Sequence, residues 1–286
     1  MKFVFFGTPE FVLPVVEILQ KAYTKKISDP AIVAVITQEP KRVGRKQILT
    51  YSPIDRWAHE HHTPVFYSPQ AFLESKISAD VGILAAYGKI IPPECLNYFP
   101  LGILNIHPSL LPKYRGASPL QSAIAAGETQ TGATVIKLDS GMDHGPIVAQ
   151  FTESIKSGDV PESLGTRLFA RGAQVLVDLL PAYLAGKIAL KVQNDRQATT
   201  TKLLNKESGF VPLSDIKLAI DGKKAVELDR LYRAMQSWPG IWTLFKEKRL
   251  KITKAHLEDT WVIDEVQLES RNPVTWLQFK QTYSPF

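Results

Sequence analysis

Short apolar runs rich in valine, isoleucine and phenylalanine punctuate the first half of the chain, at residues 3–6, 31–36, 81–85, 103–106 and 134–138. Each ends in turn residues, and the stretches between them are long enough to hold helices. Buried parallel strands have this look, because helices cover both faces of the sheet and no polar face is left to alternate. The βαβ alternation predicts an α/β fold with a mostly parallel, doubly wound sheet. Residues 13–22 and 53–61 are candidate crossover helices. Residues 161–184 read as a long helix, with Asp159 as its candidate cap and Gly186 as its stop.

The pattern changes after that helix. Residues 187–224 lose periodicity and turn polar, as an interdomain linker does. A short helix is expected at 225–236, then the turn Trp238-Pro239-Gly240. Four alternating segments follow at 241–245, 249–253, 261–268 and 274–279, and these predict a small all-β unit. Trp242, Trp261 and Trp276 fall within it and are expected as its core rather than as stacking platforms for bases. The expected plan is a first domain at 1–186, a linker at 187–224 and a small β unit at 225–286.

Composition narrows the class. The chain has 286 residues, 44% hydrophobic and 22% charged, as ordinary globular proteins do. No apolar run approaches the ~18 residues of a membrane span. The opening residues read as a first buried strand rather than a signal peptide, because Gly7-Thr8-Pro9 follows at once with no cleavage pattern. A cytoplasmic protein without a membrane partner is expected. Cys95 is the only cysteine, which excludes a disulfide framework and a cysteine-built metal site; it is expected as a small buried hydrophobe. His59, His61 and His62 look like a solvated helix end rather than a ligand set, so no metal is expected. The formal charge of +6 is concentrated late: residues 187–286 hold 17 Lys and Arg against 12 Asp and Glu. That excess suits a polyanionic partner and a solvated basic surface equally.

Gly7-Thr8-Pro9-Glu10-Phe11 stands where a dinucleotide-binding protein carries three spaced glycines. Only one is present, which argues against a nicotinamide dehydrogenase. The densest chemical signal is Asn105-Ile106-His107-Pro108-Ser109-Leu110-Leu111-Pro112-Lys113-Tyr114-Arg115-Gly116. Alternation along a strand would project Asn105 and His107 from one side at its carboxyl end, where open α/β sheets bind ligands. An amide and an imidazole together supply an oxyanion donor and a proton acceptor, as acyl transfer to an amine requires. Taken alone, the pair suits a structural contact as well. A second signal, Asp139-Ser140-Gly141-Met142-Asp143-His144-Gly145, is a tight loop able to hold a carboxylate beside an imidazole. Asp143, bracketed by glycines, is the stronger candidate of its two aspartates.

Together these segments resemble the folate-dependent formyltransferase family, whose pattern joins Asn-x-His-Pro-Ser-Leu-Leu-Pro to an Asp 36 residues beyond the His in a Gly-x-Asp-x-Gly loop. His107 and Asp143 have that spacing, and the likeness runs over residues 1–186. The resemblance implies a Rossmann-like formyltransferase domain followed by an OB-like barrel, here shortened to residues 225–286. It implies that Asn105 binds the formyl oxygen, that His107 relays the proton of the attacking amine, and that Asp143 orients His107. It places the donor, 10-formyltetrahydrofolate, against Ser109, Leu110, Leu111 and Pro112 and against the turn containing Tyr87, Gly88, Lys89 and Ile91. The start Phe6-Gly7-Thr8 and the basic loop with Lys41, Arg42, Arg45 and Lys46 resemble the branch that acts on initiator methionyl-tRNA, and imply contacts to that acceptor. A nucleotide-sugar amine is the alternative acceptor, with the same catalytic set. A monomer is expected.

Overall fold

The structure is a computed structural model, and it describes residues 1–26, 28–44 and 46–283. Seven strands form one sheet in the order Ile147–Ser154, Gln130–Lys137, Ile103–His107, Val81–Ala85, Phe3–Gly7, Ile32–Ile36, Val65–Phe66. The last five run parallel, and the first two are antiparallel to their neighbours. Phe3, Val4, Phe5 and Phe6 are buried on both faces, which is why that run shows no polar alternation. The apolar run at 134–138 belongs to an antiparallel strand rather than a parallel one. The short loop after it cannot carry the crossover that parallel neighbours require, so the chain returns as a hairpin.

Expected helices form at Leu13–Tyr23, Pro53–Glu60 and Pro161–Leu184. Ser52 caps the second by accepting the Asp55 N–H at 3.0 Å. Gly186, at φ +64°, follows the end of the third, where only glycine is left-handed without a Cβ penalty. Pro69–Ser75, Pro93–Leu96, Pro119–Ala126 and Leu213–Ile220 are further helices. Cys95 is buried in the cluster around Phe72 and Phe99.

The chain divides into two compact units. One holds Met1–Gly116, Gln130–Ser154 and Glu162–Thr200; the other holds Ala117–Thr129, Ile155–Pro161 and the described residues of Thr201–Phe286. The stretch 187–224, expected as a linker, is therefore shared between them. Lys191 exchanges backbone hydrogen bonds with Ile147 at 2.8 and 2.9 Å, so the first part serves as an added edge to the large sheet. Gln193 in this stretch is buried, while most of its other polar side chains are exposed.

In the second unit, Ile241–Phe245, Lys248–Leu257, Trp261–Leu268 and Val274–Thr275 form a four-stranded antiparallel sheet in that order, consistent with a small barrel. Residues 276–279 are helix, not strand: Trp276–Tyr283 places Trp276, Phe279 and Tyr283 at helical spacing. Of the three tryptophans expected as core, Trp261 is fully buried. Trp242 and Trp276 are half-buried; Trp242 donates its indole N–H to the Lys206 carbonyl at 2.8 Å, and Trp276 stacks on Phe279.

Candidate active site

The site is built on Ile103–His107, a strand buried along its whole length. Register sets Asn105 beside Leu84 on one neighbour and Ile136 on the other. Asn105 and His107 are 5% and 4% exposed, two positions apart and so on one side of the strand. They stand at the carboxyl edge of the parallel strands, where Gly7 pairs with Ala85. An amide or imidazole buried without partners costs several kcal/mol, so their bonds decide the arrangement.

Asp143 faces both side chains. Asn105 Nδ2 donates to Asp143 Oδ1 at 3.4 Å, and His107 Nδ1 lies 3.5 Å from the same oxygen. The other carboxylate oxygen accepts the Gly116 backbone N–H at 2.8 Å. His107 Nε2 lies 2.9 Å from the Tyr114 carbonyl. A carbonyl only accepts, so Nε2 carries a hydrogen and Nδ1 is the nitrogen left to exchange a proton on the Asp143 side.

The loop that presents Asp143 is tightly determined. Asp143 sits at φ +49°, a left-handed conformation that costs an L-residue roughly 1–2 kcal/mol. A Cβ on Gly145 would lie 1.9 Å from the Lys137 carbonyl oxygen, so only glycine fits the closing turn. Asp139 accepts the Gly141 N–H at 2.9 Å and meets His144 Nδ1 at 2.7 Å. That hydrogen bond, with the charge of Asp139 behind it, raises the His144 pKa above its ordinary value.

A residue from the expected linker completes the frame. Gln193 Nε2 donates to the carbonyls of Asp143 and Gly145 at 2.8 and 2.9 Å. Its Oε1 accepts from Arg115 Nε at 3.1 Å and Nη2 at 2.8 Å. Arg115 also pairs with Asp195 at 2.8 Å, and the hydrogen bond from Arg115 lowers the Asp195 pKa. The Tyr114 carbonyl, Arg115, the Gly116 N–H, Gln193 and Asp195 were not singled out from the sequence. Tyr114, Arg115 and Gly116 close the signal stretch quoted from the sequence, without a role of their own there, but Gln193 and Asp195 carry no local signal.

The residues expected at the donor are placed as follows. The Tyr87 ring is fully buried and packs edge-on against Phe6 at 5.9 Å; burial pushes its phenol up to about 12. Its carbonyl accepts from Gln38 Nε2 at 3.1 Å and from Thr8 Oγ1 at 3.4 Å. Gly88 is left-handed at φ +76°, and Gly88, Lys89 and Ile90 are exposed beside half-buried Ile91. Ser109 is fully buried and gives its hydroxyl hydrogen to the Lys113 carbonyl at 2.7 Å, which leaves any ligand contact there to other atoms. Leu111 is buried, with Leu110 and Pro112 half-buried beside it.

Of the residues expected at the acceptor, Phe6 and Gly7 are buried and Thr8 is half-buried. The Phe6 ring is committed to the core against Tyr87 and Phe99. Lys41, Arg42 and Lys46 are exposed on a β-hairpin, Lys41–Val43 against Ile48–Thr50, with Lys46 in its turn. Arg42 Nη1 donates to the Gln47 carbonyl at 3.1 Å. Arg45 lies outside the described residues. Among the described residues, no group of three or more His, Cys, Asp or Glu is placed to hold a metal ion, and no helix is long and apolar enough to cross a membrane.

Comparison with known proteins adds to this geometry. Residues 1–180 match the formyl transferase family, and residues 220–262 match the formyl transferase C-terminal domain. The chain is 38% identical over 268 residues to the methionyl-tRNA formyltransferase of Chloroflexus aggregans, covering 91% of this chain and 82% of that one. It is 36% identical to the enzyme of that name from Legionella pneumophila, covering 90% and 79%. Two solved structures share the fold. The methionyl-tRNA formyltransferase of Clostridium thermocellum superposes with a TM-score of 0.61 at 18% identity, covering 94% and 98% of the two chains. The Helicobacter canadensis N-formyltransferase in complex with folinic acid and dTDP-3-aminofucose does so with 0.64 at 19%, covering 90% and 88%.

Proposed function

The chain belongs to the formyl transferase family, and from that premise we propose that it moves the formyl group of 10-formyltetrahydrofolate to the amino group of initiator methionyl-tRNA. The observation that carries the acceptor is 38% identity over 91% of the chain to an enzyme of that name. The chemistry is supported by Asn105, His107 and Asp143 meeting at one carboxylate oxygen.

In this reading the amine nitrogen attacks the formyl carbon and a tetrahedral intermediate forms. Asn105 has a second amide hydrogen with which to hold the oxygen as charge develops on it. The nitrogen loses a proton toward His107 Nδ1, which faces Asp143. Asp143 fixes the imidazole and helps carry the proton onward to the leaving N10 of the folate. The bond from the formyl carbon to N10 then breaks, releasing tetrahydrofolate and the formylated amine. A pterin needs a flat, largely apolar pocket with a few backbone partners; Gly88, Lys89 and Ile91 on one side and Leu110, Leu111 and Pro112 on the other suit that role. Lys41, Arg42 and Lys46 offer cations to the acceptor's phosphates. The enzyme works in this reading as a cytoplasmic monomer.

The test sets Met-tRNA against an amino-sugar nucleotide as acceptors, each with 10-formyltetrahydrofolate. Formylation of Met-tRNA alone is expected. Formylation of the sugar amine and not of the tRNA overturns the acceptor, and transfer to neither overturns the reaction.

A further inference from the structure

We infer that Gln193 is a positioning residue for the reaction, clamping the Asp143 loop so that the carboxylate stays aimed at His107. Gln193 is 6% exposed, and both hydrogens of its side-chain amide are used toward the loop. Arg115 has only N–H groups to offer, so the Gln193 oxygen must face it. That leaves the two amide hydrogens pointing at the loop, where they meet the carbonyls of Asp143 and Gly145 at 2.8 and 2.9 Å. The two carbonyls flank His144, so one side chain pins the backbone on both sides of the tight turn.

Asp143 needs such a hold. It sits in a left-handed conformation, and the Gly116 N–H tethers its carboxylate to the backbone at 2.8 Å. Gly116 is the residue after Arg115, so one short segment grips the carboxylate directly and the loop carbonyls through Gln193. Proton transfer depends steeply on donor–acceptor placement, and a shift near 1 Å costs on the order of a hundredfold in rate. Gln193 touches neither reacting group, and its effect must pass through Asp143.

This inference rests on the role given to Asp143, and the experiment separates the two. Gln193→Leu and Gln193→Glu are made in the native chain and in an Asp143→Asn background. Turnover, both KM values and binding of 5-formyltetrahydrofolate are measured. In the native background kcat should fall about tenfold or more, with KM values and folate binding within about threefold. In the Asp143→Asn background the same changes should cost less than about twofold, because the group they act through is already lost. Gln193→Glu keeps the size and the Arg115 contact while removing both donors, so it decides the matter if the leucine variant does not fold. Native kcat in the glutamate variant, or an equal loss in both backgrounds, overturns the inference while leaving the role of Asp143 intact. Full turnover of Asp143→Asn alone overturns that role, and this inference with it.

Discussion

His107 Nδ1 lies 3.5 Å from Asp143 Oδ1, so 36 residues of sequence close into one contact between a strand end and a glycine-flanked loop. The contact defines a direction: the opposite ring nitrogen is held by the Tyr114 carbonyl, and the imidazole cannot turn without losing that bond. Asp143→Asn keeps the shape and removes the charge, and His107→Ala removes the ring. Each should lower kcat by at least about a hundredfold, with thermal unfolding little changed. Near-native turnover in both variants would be incompatible with the mechanism.

Gly145 should tolerate no side chain. The Cβ of Gly145→Ala would meet the Lys137 carbonyl oxygen at 1.9 Å, and backbone on both sides must move to relieve it. A loss of about 2 kcal/mol or more in denaturant unfolding is expected, together with reduced turnover as the loop shifts Asp143. Unchanged stability would mean that the hairpin closes differently.

The exposed hairpin bearing Lys41 and Arg42 gives the acceptor its sharpest test. If the substrate is a tRNA, binding should weaken steeply with salt, because several phosphates are neutralised at once. Arg42→Ala should raise the KM for Met-tRNA and lower turnover while leaving folate binding intact. An unchanged tRNA KM in that variant removes Arg42 from the interface.

His144 should titrate above the ordinary imidazole value of about 6.5, because its hydrogen bond to Asp139 and the charge of Asp139 favour the protonated ring. A raised folded-state pKa means that the tie is fully present below the unfolded value. It fades as pH rises through the higher folded value. An NMR titration of His144 reads the midpoint, and Asp139→Asn should move it down. A midpoint that ignores the Asp139 substitution would show that the pair does not form in solution.

Local pattern reached a definite limit. The buried strands were legible because runs such as Phe3–Gly7 carry no polar position to alternate, and the pairing of Asn105 with His107 followed from the period of two alone. The segment 274–279 reads as a strand because Val274 and Trp276, and Leu277 and Phe279, are two apart, while Trp276 and Phe279 are three apart, so six positions satisfy both periods; packing of Phe279 against Phe245 and Trp276 chose the helix. Residues 187–200 looked like a linker because polarity and lost periodicity are all that a segment shows when its bonds run to distant partners.

What the sequence by itself determined is therefore the α/β plan, the strand that carries Asn105 and His107, and the glycines that let Asp143 turn. These rest on side-chain alternation and on the room that a missing Cβ leaves at Gly141 and Gly145, which act over a few residues. Only the tertiary structure decided that Gln193 answers the Asp143 loop across 50 residues and that Arg115 orients Gln193 across 78. Such bonds form because a buried carbonyl or guanidinium must find a partner wherever the fold provides one, and no local pattern records which partner that is.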